Sequence, residues 1–373
     1  MRYVVETDRL QNNLAVLRRE LAGVPLIAVL KCNGYGLGLT GTALRLWEEG
    51  VTDFAVLRFD EAAAVRALLP DAFLMMLTPA VTPEEAAEAV EQHYTACVDC
   101  AETARRMEQA AAAAETATPV QLALDVGFGR YGFAPGEEAL IAETLSDCPH
   151  LQVVGTYAHF HSSFGGPASV RRQTARFLKM TEKLKKAGVP LGRRHIANSA
   201  AALRFPETRL DAVRVGSALC GRLSVPDRWG FQPVGHLEAP ITSLRRLKRG
   251  QNLGYGDMFH LKRDATVAVI PVGHSNGYGM TSARDSYRLR DIARYLFNDL
   301  KDLFRDHTVR VTVNGRSVPL VGGRGLTNCY ADVTGISCAV GDTVCLPVGP
   351  VGIPADVPRE YRSGTQPADI SAL

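Results

Sequence analysis

The sequence predicts a two-domain protein of the α/β class: a (β/α)₈ (TIM-like) barrel over residues 1–224, followed by a mostly-β domain over residues 225–373. Three observations carry this expectation. With 373 residues, the chain exceeds the size at which one hydrophobic core stops growing. Up to about residue 222, short apolar runs alternate with longer amphipathic stretches rich in alanine and charge, the texture of repeated strand-then-helix units. Beyond about residue 225 the chain turns Gly-, Pro- and Val-rich, with strand-like runs.

The apolar runs number eight: Leu26–Leu30, Phe54–Leu57, Phe73–Leu77, Tyr94–Val98, Val120–Leu124, Val153–Tyr157, His195–Ala197 and Ala212–Val215. Helices are expected between them, for example over Asp60–Leu69, Pro83–Glu91, Ala101–Ala114 and Ser169–Ala187. Eight strands each followed by a helix make a barrel whose chemistry sits where strands end, so the polar residues after each run are the candidates. In the second domain Thr266–Ile270 and Val309–Val313 read as strands, Asn314-Gly315 as a type I′ hairpin turn, and Ser286–Phe304 as a helical insert.

Composition excludes several classes. Hydrophobic residues make up 46% and charged residues 22%, so the chain folds. The net charge of +3 is not gathered into a stripe, and Arg245–Arg249 is too short to bind a polyanion, so no nucleic-acid partner is expected. No window reaches the roughly 18 apolar residues that span a bilayer, and Met1-Arg2-Tyr3 is expected to lead straight into a polar helix with no secretory leader, which makes the cytoplasm the expected location and a membrane partner unexpected. Eight scattered cysteines fit a reducing compartment, and the lone Cys97–Cys100 pair lacks the second ligand pair a zinc site needs, so no metal is expected.

Lys31 directly follows the first apolar run and opens the loop Lys31-Cys32-Asn33-Gly34-Tyr35-Gly36-Leu37-Gly38. A lysine leaving an apolar wall suits imine formation, because desolvation disfavours the charged amine. Alone it reads more readily as a solvated strand-end lysine, and its glycines match neither a P-loop nor a dinucleotide fingerprint.

The ordered set of motifs resembles the alanine racemase family. Ile27–Gly36 is similar to its AVVKANAYGHG, Leu124–Phe133 to VDTGMGRLG, Ala158-His159-Phe160 to SHF, Ala197–Ala200 to ANSA, Arg214–Gly221 to RPGIALYG, and Leu253–Asp257 to VGYGATF. The resemblance implies pyridoxal 5′-phosphate held by Lys31 as a Schiff base. It places Tyr35, Asn198, Ser199, Gly216 and Ser217 around the phosphate, Arg214 at the pyridine nitrogen, and His159 in support of that arginine. Arg130 inherits the substrate carboxylate. Lys31 and Tyr255 become the two opposed catalytic groups, with Tyr255 supplied by the partner in a head-to-tail homodimer. The implied reaction is racemisation of a small amino acid, alanine foremost. A serine or broader racemase and a non-catalytic cofactor-binding relative are the alternatives; the related decarboxylases are disfavoured, since their glycine-rich phosphate loop and C-terminal cysteine motif are missing.

The chain departs from the family at several positions. Leu37 replaces the histidine of YGHG, and Ala123 stands where many members carry a carbamylated lysine. His274 replaces a tyrosine of the substrate entrance, Leu326 and Thr327 stand where Met-Asp lies near the substrate carboxylate, and Ala368 stands where a tyrosine grips the phosphate. These changes are expected to alter the pocket and cofactor affinity.

Overall fold

The computed structural model describes residues 1–279, 287–304 and 307–364. Ala368 and Ser286 lie outside the described residues. The chain divides into two compact units, Thr7–Val234 and a second made of Met1–Glu6 with the chain from Gly235 onward. The boundary expected after residue 224 falls after Val234, and the first six residues leave the barrel for the second unit.

That exchange follows from strand β1, Arg2–Glu6, which stands where a polar helix was expected. Tyr3, Val4 and Val5 are β-branched or aromatic and fully buried, and a row of such residues gains more from two ladder partners than from a helix turn. The polar helix begins only at Thr7 and runs to Leu21.

In the first unit, strands β2 Leu26–Val29, β3 Asp53–Val56, β4 Phe73–Pro79, β5 Thr95–Val98, β6 Thr118–Ala123, β7 Leu151–Tyr157, β8 Arg193–His195 and β9 Val213–Val215 each overlap one of the eight predicted runs. All pair in parallel, in the order β8-β7-β6-β5-β4-β3-β2-β9. The gap between β8 and β9 is bridged by Asp211 N–H to Arg194 O (3.0 Å) and Arg214 N–H to Ala197 O (3.0 Å), which makes a near-closed barrel. Its interior is filled, not hollow: Ile27, Val29, Ala55, Met75, Cys97, Ala123 and Tyr157 form one buried cluster. Helices Phe59–Leu68, Pro83–Glu91, Ala101–Ala113 and Pro167–Lys186 sit close to their predicted spans. Cys100 caps the third, which starts at Ala101, and the sulfurs of the CxxC pair part: Cys97 lies 3.2 Å from the Tyr157 hydroxyl and Cys100 3.2 Å from that of Thr103.

The second unit contains β10 His236–Pro240, β11 Ser243–Leu247, β12 Ala265–Ile270, β13 Arg310–Val313, β14 Arg316–Pro319, β15 Cys329–Asp332, β16 Thr343–Leu346 and β17 Arg359–Arg362. A six-stranded sheet runs β14-β13-β16-β10-β1-β17, and a three-stranded one runs β11-β12-β15. Asn314 (φ 47°) and Gly315 (φ 75°) make the β13–β14 turn with the two positive φ angles the sequence called for. The insert is a helix over Leu289–Asp302.

Candidate active site

Because the barrel strands are parallel, the residues following them gather at one rim. An open cavity there is lined by the nine barrel residues to which the resemblance assigns a site role: Lys31, Tyr35, Arg130, His159, Asn198, Ser199, Arg214, Gly216 and Ser217.

Lys31 leaves β2 into a left-handed turn, with Cys32, Asn33, Gly34 and Tyr35 all at φ between 54° and 64°. Left-handed L-residues cost roughly 1–2 kcal/mol each, so the turn must be held. Gly34 N–H donates to Leu30 O (2.8 Å), the Asn33 side chain accepts from Leu39 N–H (2.8 Å), and Asn33 N–H donates to the buried Glu61 carboxylate (3.2 Å). The turn puts the Lys31 amine 5.8 Å from the centre of the Tyr35 ring. That ring is partly buried, and the desolvation pushes its hydroxyl far above the usual phenol range. It also fills the space over Gly216, where an added Cβ would sit 2.4 Å from it.

Arg214, on β9, is buried, and its described partners are neutral. It donates to His195 Nδ1 (2.7 Å), His195 O (2.9 Å) and Ala158 O (2.6 Å), and its Nη2 lies 3.4 Å from His159 Nδ1. Burial draws its pKa down to about 10, so it remains a cation at neutral pH. Since Arg214 occupies Nδ1 of His195, that ring carries its hydrogen on Nε2 and donates to Gln121 Oε1 (3.0 Å). Both histidines stay neutral. Burial, then the charges of Arg214, Arg130 and Lys31, hold His159 down to about 3; burial and Arg214 hold His195 well below its ordinary value.

Sequence reasoning missed His195 and Gln121 as parts of the site, because each is a single polar residue inside an apolar run. Gly155 makes room for Gln121, since a Cβ there would run into its carboxamide. Ser163 was missed too: it lines the cavity with a buried hydroxyl that makes no hydrogen bond among the described residues, and no motif marks it.

Two phosphate-site expectations meet competing local roles. The Asn198 side chain accepts from Ala201 N–H (3.1 Å) and caps helix Ser199–Arg204. Gly216 N–H donates to Ser199 Oγ (3.2 Å), which leaves the hydroxyl hydrogen of Ser199 to be donated to another group.

Arg130 lies on an exposed loop. The Asp125 carboxylate ties this loop by accepting from the N–H groups of Gly127, Phe128 and Gly129 (2.8, 2.8 and 3.2 Å). Ala123, buried below it, brings no charge. Leu37, where the family signature has histidine, is fully buried.

The second unit brings its own candidates together. Tyr255 is 80% exposed and stands beside Gly325, where an added Cβ would lie 3.5 Å from the Tyr255 ring. His274 N–H donates to Gly325 O (3.1 Å), Ser275 N–H donates to Leu326 O (2.9 Å), and Thr327 accepts from the Asn328 side chain (3.0 Å). Tyr255, His274, Leu326 and Thr327 thus share one loop cluster.

Comparison with known proteins agrees with this geometry. Residues 5–224 match the family model for the alanine racemase N-terminal domain and residues 234–358 that for its C-terminal domain. The alanine racemase of Desulforamulus reducens is 31% identical over 74% of this chain and 76% of its own. That of Desulfovibrio desulfuricans is 29% identical over 94% and 90%. The alanine racemase structure from Streptomyces lavendulae superposes with a TM-score of 0.81 at 25% identity, covering 98% of this chain and 97% of that one. The chain belongs to the alanine racemase family.

Proposed function

We propose that the protein interconverts the L- and D-forms of a small amino acid, alanine foremost, using pyridoxal 5′-phosphate. The observation that carries the reading is Arg214: a buried cation with neutral described partners, lining the same cavity as the Lys31 amine. The donor set fits the cofactor. Lys31 offers the amine for its aldehyde, Tyr35 and Ser199 offer hydroxyls for its phosphate, the bare Gly216 keeps the Tyr35 ring in place, and Arg214 offers a donor to its ring nitrogen. When bound, the cofactor withdraws electrons from the substrate Cα and acidifies its proton.

The chain's own groups then decide which reaction follows. An arginine holds its proton too firmly to give it to a pyridine nitrogen, so Arg214 moderates the ring's electron demand and favours proton exchange over loss of the carboxylate. Arg130 holds the substrate carboxylate, which fixes the face from which the proton leaves. Racemisation needs acid and base on opposite faces. Lys31 serves one, and Tyr255 of the partner subunit serves the other in a homodimer with composite sites. Eight free thiols support a reducing, cytoplasmic setting, and among the described residues no helix is long and apolar enough to cross a membrane.

The test is a chiral assay of L-alanine, L-serine and a wider panel with the cofactor-loaded protein. D-alanine should accumulate fastest, and Lys31→Ala should remove at least about 10³-fold of the rate, the scale of losing a general acid–base group. Tyr255→Phe should remove about 10²-fold or more. A protein that binds the cofactor and yields no D-isomer from any substrate would be a carrier and not a racemase.

A further inference from the structure

We propose that Phe128 positions Arg130, the group assigned above to the substrate carboxylate, through a cation–π stack in place of an acidic partner. The proposal rests on that functional reading. The Arg130 guanidinium carbon lies 4.4 Å from the centre of the Phe128 ring and 5.6 Å from that of Tyr131. Among the described residues no carboxylate pairs with it. Phe128 is itself held from two sides. Its N–H is tied to Asp125 (2.8 Å), and its ring meets the His159 ring edge to face, with centroids 5.3 Å apart and planes at 70°.

The chemistry of this arrangement differs from that of an ion pair. A carboxylate partner orients a guanidinium by occupying its N–H donors, and those are the donors a substrate carboxylate needs. An aromatic face attracts the cation through its quadrupole and orients the plate while taking up no donor. It also adds no negative charge to repel the incoming carboxylate. The support behind the ring is neutral as well, since burial holds His159 uncharged and it neither repels Arg130 nor changes state near neutral pH. His159 in turn lies 3.4 Å from Arg214, so two uncharged rings in edge-to-face contact link the carboxylate clamp to the buried Arg214 cation. Phe128 touches neither reacting atom; it is a positioning residue.

The experiment uses the cofactor-loaded protein as wild type, Phe128→Leu and Phe128→Tyr. Propionate, a carboxylate of the substrate's size without the amine, is titrated calorimetrically, and KM and kcat are measured with L-alanine. Phe128→Leu should weaken propionate about tenfold and raise KM by a similar factor with kcat little changed, because a clamp that grips ground state and transition state alike acts through KM. Phe128→Tyr, which keeps the ring, should restore both. Unchanged propionate affinity in Phe128→Leu, or a loss that tyrosine does not restore, would overturn the stack and leave racemisation standing. Wild-type protein that neither binds propionate nor racemises alanine would overturn both.

Discussion

At the scale of single residues, the site depends on side chains that are missing as much as on those present. Gly216 is required because the Tyr35 ring occupies the place of its Cβ. In Gly216→Ala the ring must move, and overpacking of this kind costs about 1–3 kcal/mol. Titration of the apoprotein with pyridoxal phosphate, followed by absorbance, should show affinity reduced at least about tenfold, which is 1.4 kcal/mol. Unchanged affinity would mean that Tyr35 does not shape the phosphate end. That Lys31, Tyr35 and Arg214 gather at one site was legible in the sequence because each stands in a motif whose order along the chain could be matched. His195, Gln121 and Ser163 were not, since a polar residue inside or beyond an apolar run carries no local sign of the partner that folding brings to it. The Asn198 side chain shows a second role that its motif did not announce: it lines the cavity and also caps a helix through its Oδ1.

Among elements, the eight barrel strands were readable from their apolar runs, and β1 was not. Five residues are too few to display a periodicity, and the partners of β1 come from β10 and β17, far along the sequence. Its attachment is polar as well as apolar. Glu238 on β10 takes Arg2 Nε at 2.9 Å and Arg362 of β17 at 2.8 and 3.2 Å, so one carboxylate joins three strands. Burial works against its charge, yet the hydrogen bonds from Arg362 and Arg2 outweigh burial and hold the carboxyl below its usual range. Both arginines are partly exposed and keep the Glu360 carboxylate at 3.1 and 2.7 Å, so Glu238→Gln leaves no buried unpaired charge and should lose about 1 kcal/mol in denaturant unfolding. A variant as stable as wild type would show that β1 is held by packing alone.

For the whole molecule, the two histidines beside Arg214, His195 buried and His159 largely so, link stability to pH. In the unfolded chain each takes a proton near the ordinary value of 6.5; in the fold His159 resists until about 3 and His195 is held well below 6.5. Below 6.5 the unfolded state therefore binds more protons than the folded state. The stability these groups confer is complete above 6.5 and is lost as pH falls below it, for His159 by about 1.4 kcal/mol per pH unit down to about 3 and for His195 with the same sign. The depressed carboxyl of Glu238 adds a loss of the same sign at lower pH. Urea midpoints measured from pH 7.5 down to pH 5 should fall steadily; a rise would contradict a neutral histidine pair. The division into barrel and β domain was visible as a change of texture near residue 225, but the membership of the first strand was fixed by pairing across the whole length of the chain.

All of this turns on where the cofactor is attached. Reduction of the loaded protein with borohydride, followed by proteolysis and mass mapping, should find the cofactor's added mass on the peptide containing Lys31 and on no other. Label on a different lysine, or none while absorbance shows the cofactor bound, would contradict the account.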